Sequence, residues 1–183
     1  MSKPNTTMIY VAAFLAVFGE ATLPGSRAWL GAQVDLLPAL MVYAALHAGL
    51  ATVGTLAVFG GLFFDSLSAN PPGITILPLF LTGFVIYLKR DLILRDLSFA
   101  QLVLGAAASA VVPLLSVLLM ISAGKPLLLG WGSLWQWLVM TAGGAAATPV
   151  LFALLQWFNH AFGYKLRSET SFRTDREIRR NRL

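Results

Sequence analysis

The chain has 183 residues, of which 57% are hydrophobic and 11% are charged, with a formal net charge of +5. This composition excludes an ordinary soluble domain and is typical of an integral membrane protein. The absence of cysteine excludes disulfides, thiolate nucleophiles and cysteine-based metal sites. Apolar runs recur along most of the length, so we expect one membrane domain over residues 1–163 and a basic cytoplasmic tail over residues 164–183.

Windows of apolar residues predict six membrane helices joined by short loops. Their expected positions are about 8–22, 35–47, 49–66, 73–89, 98–122 and 133–158. The second and third come from one apolar run between Leu36 and Phe64, which as a single helix would reach roughly 43 Å, well beyond a ~30 Å hydrocarbon core. We therefore expect a tight reversal near His47 and a short second helix that either is shielded by its neighbours or lies where the bilayer is thinned. The predicted fold is an all-α, six-helix transmembrane bundle.

The basic residues favour an orientation with both chain ends in the cytoplasm, because short cytoplasmic loops collect lysine and arginine. In the six-helix arrangement the outer side receives only Arg27 and Lys125. The inner side receives Lys3, Lys89, Arg90, Arg95, Lys165, Arg167, Arg173, Arg176, Arg179, Arg180 and Arg182. A five-helix arrangement with the N-terminus outside places Lys3 on the outer side and Arg27 on the inner side, so it fits the distribution of basic residues equally well. The first helix also has the pattern of a cleavable signal peptide.

Catalytic and metal-ligating patterns are scarce in this sequence. His47 and His160 each lack a second histidine or a carboxylate at ligand spacing in their own helix, so their plain role is interfacial. The mixed charges from Lys89 to Asp96 are typical of a solvated loop. We therefore expect no enzyme, no catalytic residues, no cofactor, no metal ion and no nucleic-acid partner.

Small residues recur four positions apart in three predicted helices, a spacing that lets helix backbones approach closely. The pairs are Ala57 with Gly61, Gly105 with Ser109, and Gly143 with Ala147. Such a pair either packs inside the bundle or accepts a membrane helix of another protein. Ala57 and Gly61 are the candidates for a partner contact.

Two acidic residues near the predicted outer face are candidates for function. Asp35 precedes the second helix, where a carboxylate caps free amides and complements the helix dipole. Asp65 lies near a helix C-terminus, where the dipole disfavours a negative charge. Its plain role is to accept amides of residues 66–69 in a turn that Asn70 and Pro71 make rigid. Its functional role would be an ion-coupling site or a salt bridge to a partner, and both roles remain open.

The tail over residues 164–183 carries seven basic and three acidic residues and no long apolar stretch. Arg173, Arg176 and Arg180 would share one face of a helix, where anionic headgroups or an acidic filament would attract them. The alternative is that the tail only anchors the topology of the membrane domain.

The residues between Asp35 and Tyr87 follow a recognisable order: Asp35-Leu36-Leu37, then Tyr43 and Leu46, a short reversal, a third helix ending in GGLFFDSLSANPPG, and a fourth helix with Gly83 and Tyr87. This order resembles the MreD family of rod shape-determining membrane proteins. Val34 stands where the family typically has a proline.

The resemblance implies a non-enzymatic scaffold of the cell-elongation machinery, which builds peptidoglycan at the bacterial inner membrane. The implied partners are membrane lipid, an MreC-like single-span protein, an MreB-like filament, RodA and a penicillin-binding transpeptidase. Asp65 and its turn would then present a polar surface to a periplasmic partner such as MreC. The alternative is a small-molecule-binding subunit similar to the substrate-capturing component of vitamin importers, in which Asp35, Asp65 and Trp131 line an outward pocket.

Overall fold

The computed structural model describes residues 6–22, 31–68, 70–93, 97–124 and 130–163. All regular structure in these segments is helical, which confirms the predicted all-α class for this part of the chain. The helices are α1 (Thr6–Thr22), α2 (Leu37–His47), α3 (Leu50–Leu67), α4 (Ile76–Lys89), α5 (Ser98–Ser122) and α6 (Trp131–Gly163). The predicted tail with Arg173, Arg176 and Arg180, and the side chain of His160, lie outside the described residues.

Three of the six helices are long and apolar enough to cross a membrane, namely α3, α5 and α6. The other three are apolar but shorter, with 17 residues in α1, 11 in α2 and 14 in α4. These features indicate a membrane-embedded helical protein. The expectation that all six helices cross the membrane stays a prediction.

The shortest helix, α2, lies at the centre of the bundle. Every residue from Leu37 to Leu46 is buried, and α2 packs against each of the other five helices. At 1.5 Å per residue α2 is roughly 16 Å long, about half the thickness of a hydrocarbon core. The expectation of a short, shielded second helix that reverses after His47 is confirmed, since α3 begins at Leu50.

Two glycines of the surrounding helices make room for side chains of α2. A Cβ atom at Gly60 of α3 would lie 2.9 Å from a methyl carbon of Leu37. One at Gly83 of α4 would lie 2.6 Å from the sulfur of Met41. Because real Cβ atoms do not approach so closely, a larger residue at either position would require the side chain of Leu37 or Met41, or the helix itself, to move.

The most extensive helix pair is α5 with α6. Thr148 of α6 lies directly over Gly105 of α5, and Ser109 of α5 lies directly over Gly144 of α6. Neither glycine has space for a Cβ atom. Each helix thus supplies one notch and one hydroxyl-bearing side chain that fills the partner's notch, so the two backbones pack closely.

The small residues of α6 that contact α5 differ from the predicted pair of Gly143 and Ala147. The structure uses Gly144 and Thr148 instead. One residue along a helix turns the side-chain direction by about 100°, so Gly143 faces away from α5. It receives the side chain of Val34, in the segment that leads into α2.

The helices alternate in direction, and this gives the bundle two chemically different ends. At one end, called the Asp35 end, α1 and α3 finish while α2, α4 and α6 begin. The described charged residues at this end are Glu20, Asp35 and Asp65. At the opposite end, called the His47 end, α2 finishes beside Asn159 and α4 finishes at Lys89. The described charged residues at the His47 end are Lys89, Arg90 and Asp91.

We predict that Gly144→Ala lowers the free energy of unfolding by about 1–3 kcal/mol, because the new methyl group would overlap Ser109. Gly132→Ala is a matched control in the first turn of α6, since no atom lies within 4 Å of a Cβ there. The control should be neutral or stabilising by up to about 1 kcal/mol, since alanine favours helix. Thermal unfolding of the purified protein in mild detergent measures both, and equal melting temperatures would contradict the close α5–α6 contact.

Candidate functional site at the Asp35 end

The side chain of Asp65 is 1% exposed, and both of its carboxylate oxygens accept hydrogen bonds from within the protein. One carboxylate oxygen accepts hydrogen bonds from the backbone amides of Gly73, at 2.8 Å, and Thr75, at 3.1 Å. The other oxygen accepts a hydrogen bond of 2.5 Å from the Thr75 hydroxyl. Because Thr75 directly precedes α4, Asp65 fixes the connection between α3 and α4.

These contacts correct the predicted role of Asp65. Among the described residues, the amides it binds belong to Gly73 and Thr75 rather than to residues 66–68. Although Asp65 lies near the C-terminus of α3, its carboxylate faces the N-terminal end of α4, where the helix dipole favours negative charge. The buried carboxylate is also not a surface to which a partner's cation could bind.

The other two residues of this predicted site, Asn70 and Pro71, are half-buried in the connection between α3 and α4. The carbonyl of Pro71 accepts a hydrogen bond from the amide of Ile74 at 3.3 Å. The expected turn is therefore present. Its accessible atoms belong to Asn70, Pro71 and their neighbours, not to the carboxylate of Asp65.

Asp35 satisfies a free amide at the N-terminal end of α2, as predicted, although the N-cap position itself is Leu36, one residue further along. Its carboxylate accepts the amide of Leu37 at 2.8 Å, and its side chain is 3% exposed. Burial raises the pKa of Asp35 from its ordinary value of 3.8 to about 6, and the hydrogen bond from Leu37 opposes that rise. The folded protein thus favours the protonated form of this carboxyl group more than the unfolded chain does.

Glu20 is a residue of this site to which the sequence analysis assigned no role. One carboxylate oxygen accepts the amide of Leu36 at 2.6 Å, and the other is buried without a hydrogen-bond partner. Glu20 therefore binds the amide next to the one that Asp35 binds. The sequence feature that could have identified Glu20 is its position in the last turn of the apolar helix α1. Asp65 has the corresponding position in α3.

A glutamine pair attaches the same segment to α6. The backbone amide of Gln33 donates to the Oε1 atom of Gln136 at 3.1 Å, and the Nε2 atom of Gln136 donates to the carbonyl of Gln33 at 2.8 Å. Since Leu36 is bound to Glu20 and Leu37 fits over Gly60, residues 33–37 are attached to α6, α1 and α3. The entry to α2 is thus fixed from three sides.

The predicted partner-facing residues of α3 lie inside the bundle. Ala57 is fully buried, and a Cβ atom at Gly61 would come within 3.1 Å of the backbone of Ile76. The close-approach face of α3 is therefore occupied by α4 of the same chain, which leaves no room there for a helix of another protein.

The two carboxylates that the predicted solute pocket requires, Asp35 and Asp65, are already used within the described part of the protein. Both carboxylates are bound to backbone amides, whereas the side chain of Trp131 is 85% exposed. A cavity of about 640 Å³ lies elsewhere, between α1 and α3, and its lining is almost entirely apolar. The geometry therefore does not favour a polar vitamin as a ligand at the predicted place.

At the His47 end, backbone carbonyls and aromatic rings bind the polar groups. The Nδ1 atom of His47 lies 3.3 Å from the carbonyl of Tyr43, and the two rings stack with centroids 4.6 Å apart. Arg90 lies over the ring of Tyr87, 4.3 Å from its centroid, and donates to the carbonyl of Ala48 at 3.4 Å. The guanidinium group thus binds a carbonyl that follows the C-terminus of α2.

Comparison with protein-family models, with curated proteins and with solved structures finds no match to this chain.

We predict that Asp65→Ala lowers the free energy of unfolding by about 3 kcal/mol or more, because the buried amide and hydroxyl of Thr75 and the part-buried amide of Gly73 all lose their acceptor. Asp65→Asn should cost less, since its side-chain oxygen still accepts one of them. Asp91→Asn is the control, because Asp91 is 82% exposed, and it should change stability by less than about 0.5 kcal/mol. Similar melting temperatures for Asp65→Ala and the control would contradict the role of Asp65.

We also predict that stability depends on pH through Asp35. Folding raises the pKa of Asp35, so the contribution of Asp35 to the free energy of unfolding is fully present below its ordinary pKa of 3.8. That contribution is lost as the pH rises through about 6. Asp35→Asn removes this ionisation and should flatten that part of the pH dependence, which unfolding at a series of pH values measures. A slope in this window that survives the substitution would assign it to another group.

Proposed function

We propose that this protein is a non-enzymatic scaffold of the bacterial cell-elongation machinery, with six membrane spans in the inner membrane and a cytoplasmic C-terminus. The observation that carries the proposal is the MreD-like order of residues from Asp35 to Tyr87. The proposed partners are an MreC-like single-span protein and, through it or directly, an MreB-like filament, RodA and a penicillin-binding transpeptidase.

The structure supports this proposal by giving the MreD-like residues a common role. Asp35 caps α2, Gly61 and Asp65 join α3 to α4, and Gly83 receives Met41 of α2. These residues lie in separate elements, yet each fixes α2, α3 or α4 in place. The residues that resemble the MreD family therefore lie in one framework of three packed helices.

The outer helices provide apolar surfaces on which a membrane partner would bind. Phe14 and Phe18 of α1 are about half exposed, and Phe59 of α3 is 69% exposed. In a bilayer such side chains meet lipid tails or the helix of another protein. Since Ala57 and Gly61 are occupied inside the bundle, the proposal places partner contacts on these outward faces.

The test is replacement of the MreD-like protein in a rod-shaped bacterium that requires one. Expression of this chain in cells depleted of their own protein should restore rod shape. The tagged chain should recover the single-span partner after mild solubilisation. Cells that remain round although the chain is inserted and recovers no elongation protein would overturn the proposal.

We further predict that the tail recruits a cytoplasmic partner through arginine. Replacing Arg173, Arg176 and Arg180 by glutamate should leave insertion intact, because Lys89 and Arg90 still mark the inner side, but should impair rod shape. Replacing the same three by lysine keeps attraction to lipid and removes bidentate pairing with carboxylates. Loss of shape in the glutamate variant alone would indicate lipid binding, and normal shape in both would confine the tail to anchoring.

A further inference from the structure

Helix α1 is attached to the bundle along one narrow stripe. Its buried residues are Ile9, Ala13 and Val17, which recur every four positions and pack towards α2 and α3. The rest of α1 is largely exposed, including Val11, Phe14 and Leu15. Within the described part of the bundle, α1 is therefore held in place by a small contact area and by the polar bonds at its two ends.

Beside that stripe, α1 and α3 leave an apolar groove between them, with a volume of about 640 Å³. Val11, Phe14 and Leu15 of α1 line one wall, and Phe59 and Phe63 of α3 line the other. Phe14 and Phe63 stack with ring centroids 5.0 Å apart, so aromatic contact bridges the groove at one point. Side chains of the described residues leave most of the remaining space unfilled.

A polar bond lies at each end of this helix pair. At the His47 end, the hydroxyl groups of Tyr10 and Thr55 are hydrogen-bonded to each other. At the Asp35 end, Glu20 accepts the amide of Leu36 at 2.6 Å. The second bond joins α1 to the start of the buried central helix, and it is the one that involves an ionisable group.

The carboxyl groups of Glu20 and Asp35 accept two consecutive amides at the same helix end, so they are close neighbours. One charge there is favoured by the dipole of α2, but two charges in a poorly solvated site repel each other. The second oxygen of Glu20 is buried without a hydrogen-bond donor, which is unfavourable for a charged carboxylate. Burial also raises the pKa of Asp35 to about 6.

The described surroundings contain no cation at this end that would neutralise a second charge. The charged residue of α3 at this end is Asp65, which is bound to Gly73 and Thr75. The polar residue of α6 that contacts this segment is Gln136, which is neutral. The titratable residues of α2 and α4 belong to the His47 half of the bundle and are Tyr43, His47, Tyr87 and Lys89. Helix α5 has no titratable residue.

We propose that Glu20 and Asp35 share one proton, and that loss of this proton to solvent releases α1 from the start of α2 and widens the groove between α1 and α3. Two negative charges then repel, and Glu20, on the peripheral helix, turns towards water and breaks its bond to Leu36. Asp35 keeps the amide of Leu37, so α2 remains capped. This inference is independent of the proposed function.

A distance measurement tests the movement directly, because the chain has no cysteine. Phe18→Cys in α1 and Leu62→Cys in α3 place spin labels at two exposed positions in the halves of these helices nearer the Asp35 end. In lipid nanodiscs, pulsed electron resonance should give one short distance at neutral pH, where the pair still holds its shared proton, and a growing longer component as the pH is raised into the alkaline range, well above the value of about 6 at which the first proton leaves. A distance distribution that does not change with pH would overturn the proposal.

Substitutions identify the group that titrates. Glu20→Gln cannot ionise and its side-chain oxygen still accepts the amide of Leu36, so the short distance should persist at every pH. Asp35→Asn should act in the same way, because it leaves a single charge that the helix end favours. Asp91→Asn, at the His47 end, should leave the transition of the parent unchanged. A transition that persists in both Glu20→Gln and Asp35→Asn would overturn the proposal.

Infrared spectroscopy provides a readout that does not depend on the labels or on the substituted proteins folding well. The unsubstituted protein in nanodiscs should show the carbonyl stretch of a protonated carboxylic acid at neutral pH, and this band should disappear in parallel with the distance change. Absence of the band at neutral pH would exclude the shared proton. Its loss without any change in distance would exclude the release of α1.

Discussion

The fold depends on enclosing a helix that is too short to reach across a membrane and too apolar to face water. Helix α2 has 11 residues, and its ends carry unpaired amides and carbonyls that need partners. Glu20 and Asp35 bind amides at one end, and Arg90 binds a carbonyl just beyond the other. Enclosure also requires notches in the surrounding helices, which explains the glycines that face α2.

The sequence was informative about where helices lie and much less so about which faces meet. Apolar windows bounded by polar residues placed all six helices, and the length of the run from Leu36 to Phe64 required a reversal. The spacing of small residues, in contrast, recurs on several faces of one helix. Gly143 and Gly144 are adjacent in sequence but point in directions about 100° apart, and only the packed structure assigns one to Val34 and the other to Ser109.

Side chains that act on another helix were the hardest to predict. Asp35 acts on its own helix end, so its role follows from local sequence. Glu20 and Asp65 act across a connection, on amides that lie 16 and up to 10 residues further along the chain. Both acids lie in the last turns of apolar helices, where the dipole of their own helix disfavours them. This unfavourable position indicated that each acid binds hydrogen-bond donors outside its own helix, but it did not identify which amides these are.

The internal use of these residues changes what the MreD-like order can indicate. Asp35, Gly61, Asp65 and Gly83 all lie at contacts within the framework of α2, α3 and α4, so architecture alone is a sufficient reason for their presence. A shared architecture can carry different functions, because function depends on the surfaces and sites that the framework supports. In this chain such surfaces include the exposed apolar faces of α1 and α3 and the turn at Asn70 and Pro71. A partner that distinguishes this protein from another bundle of the same design must therefore recognise those exposed features rather than the buried acids.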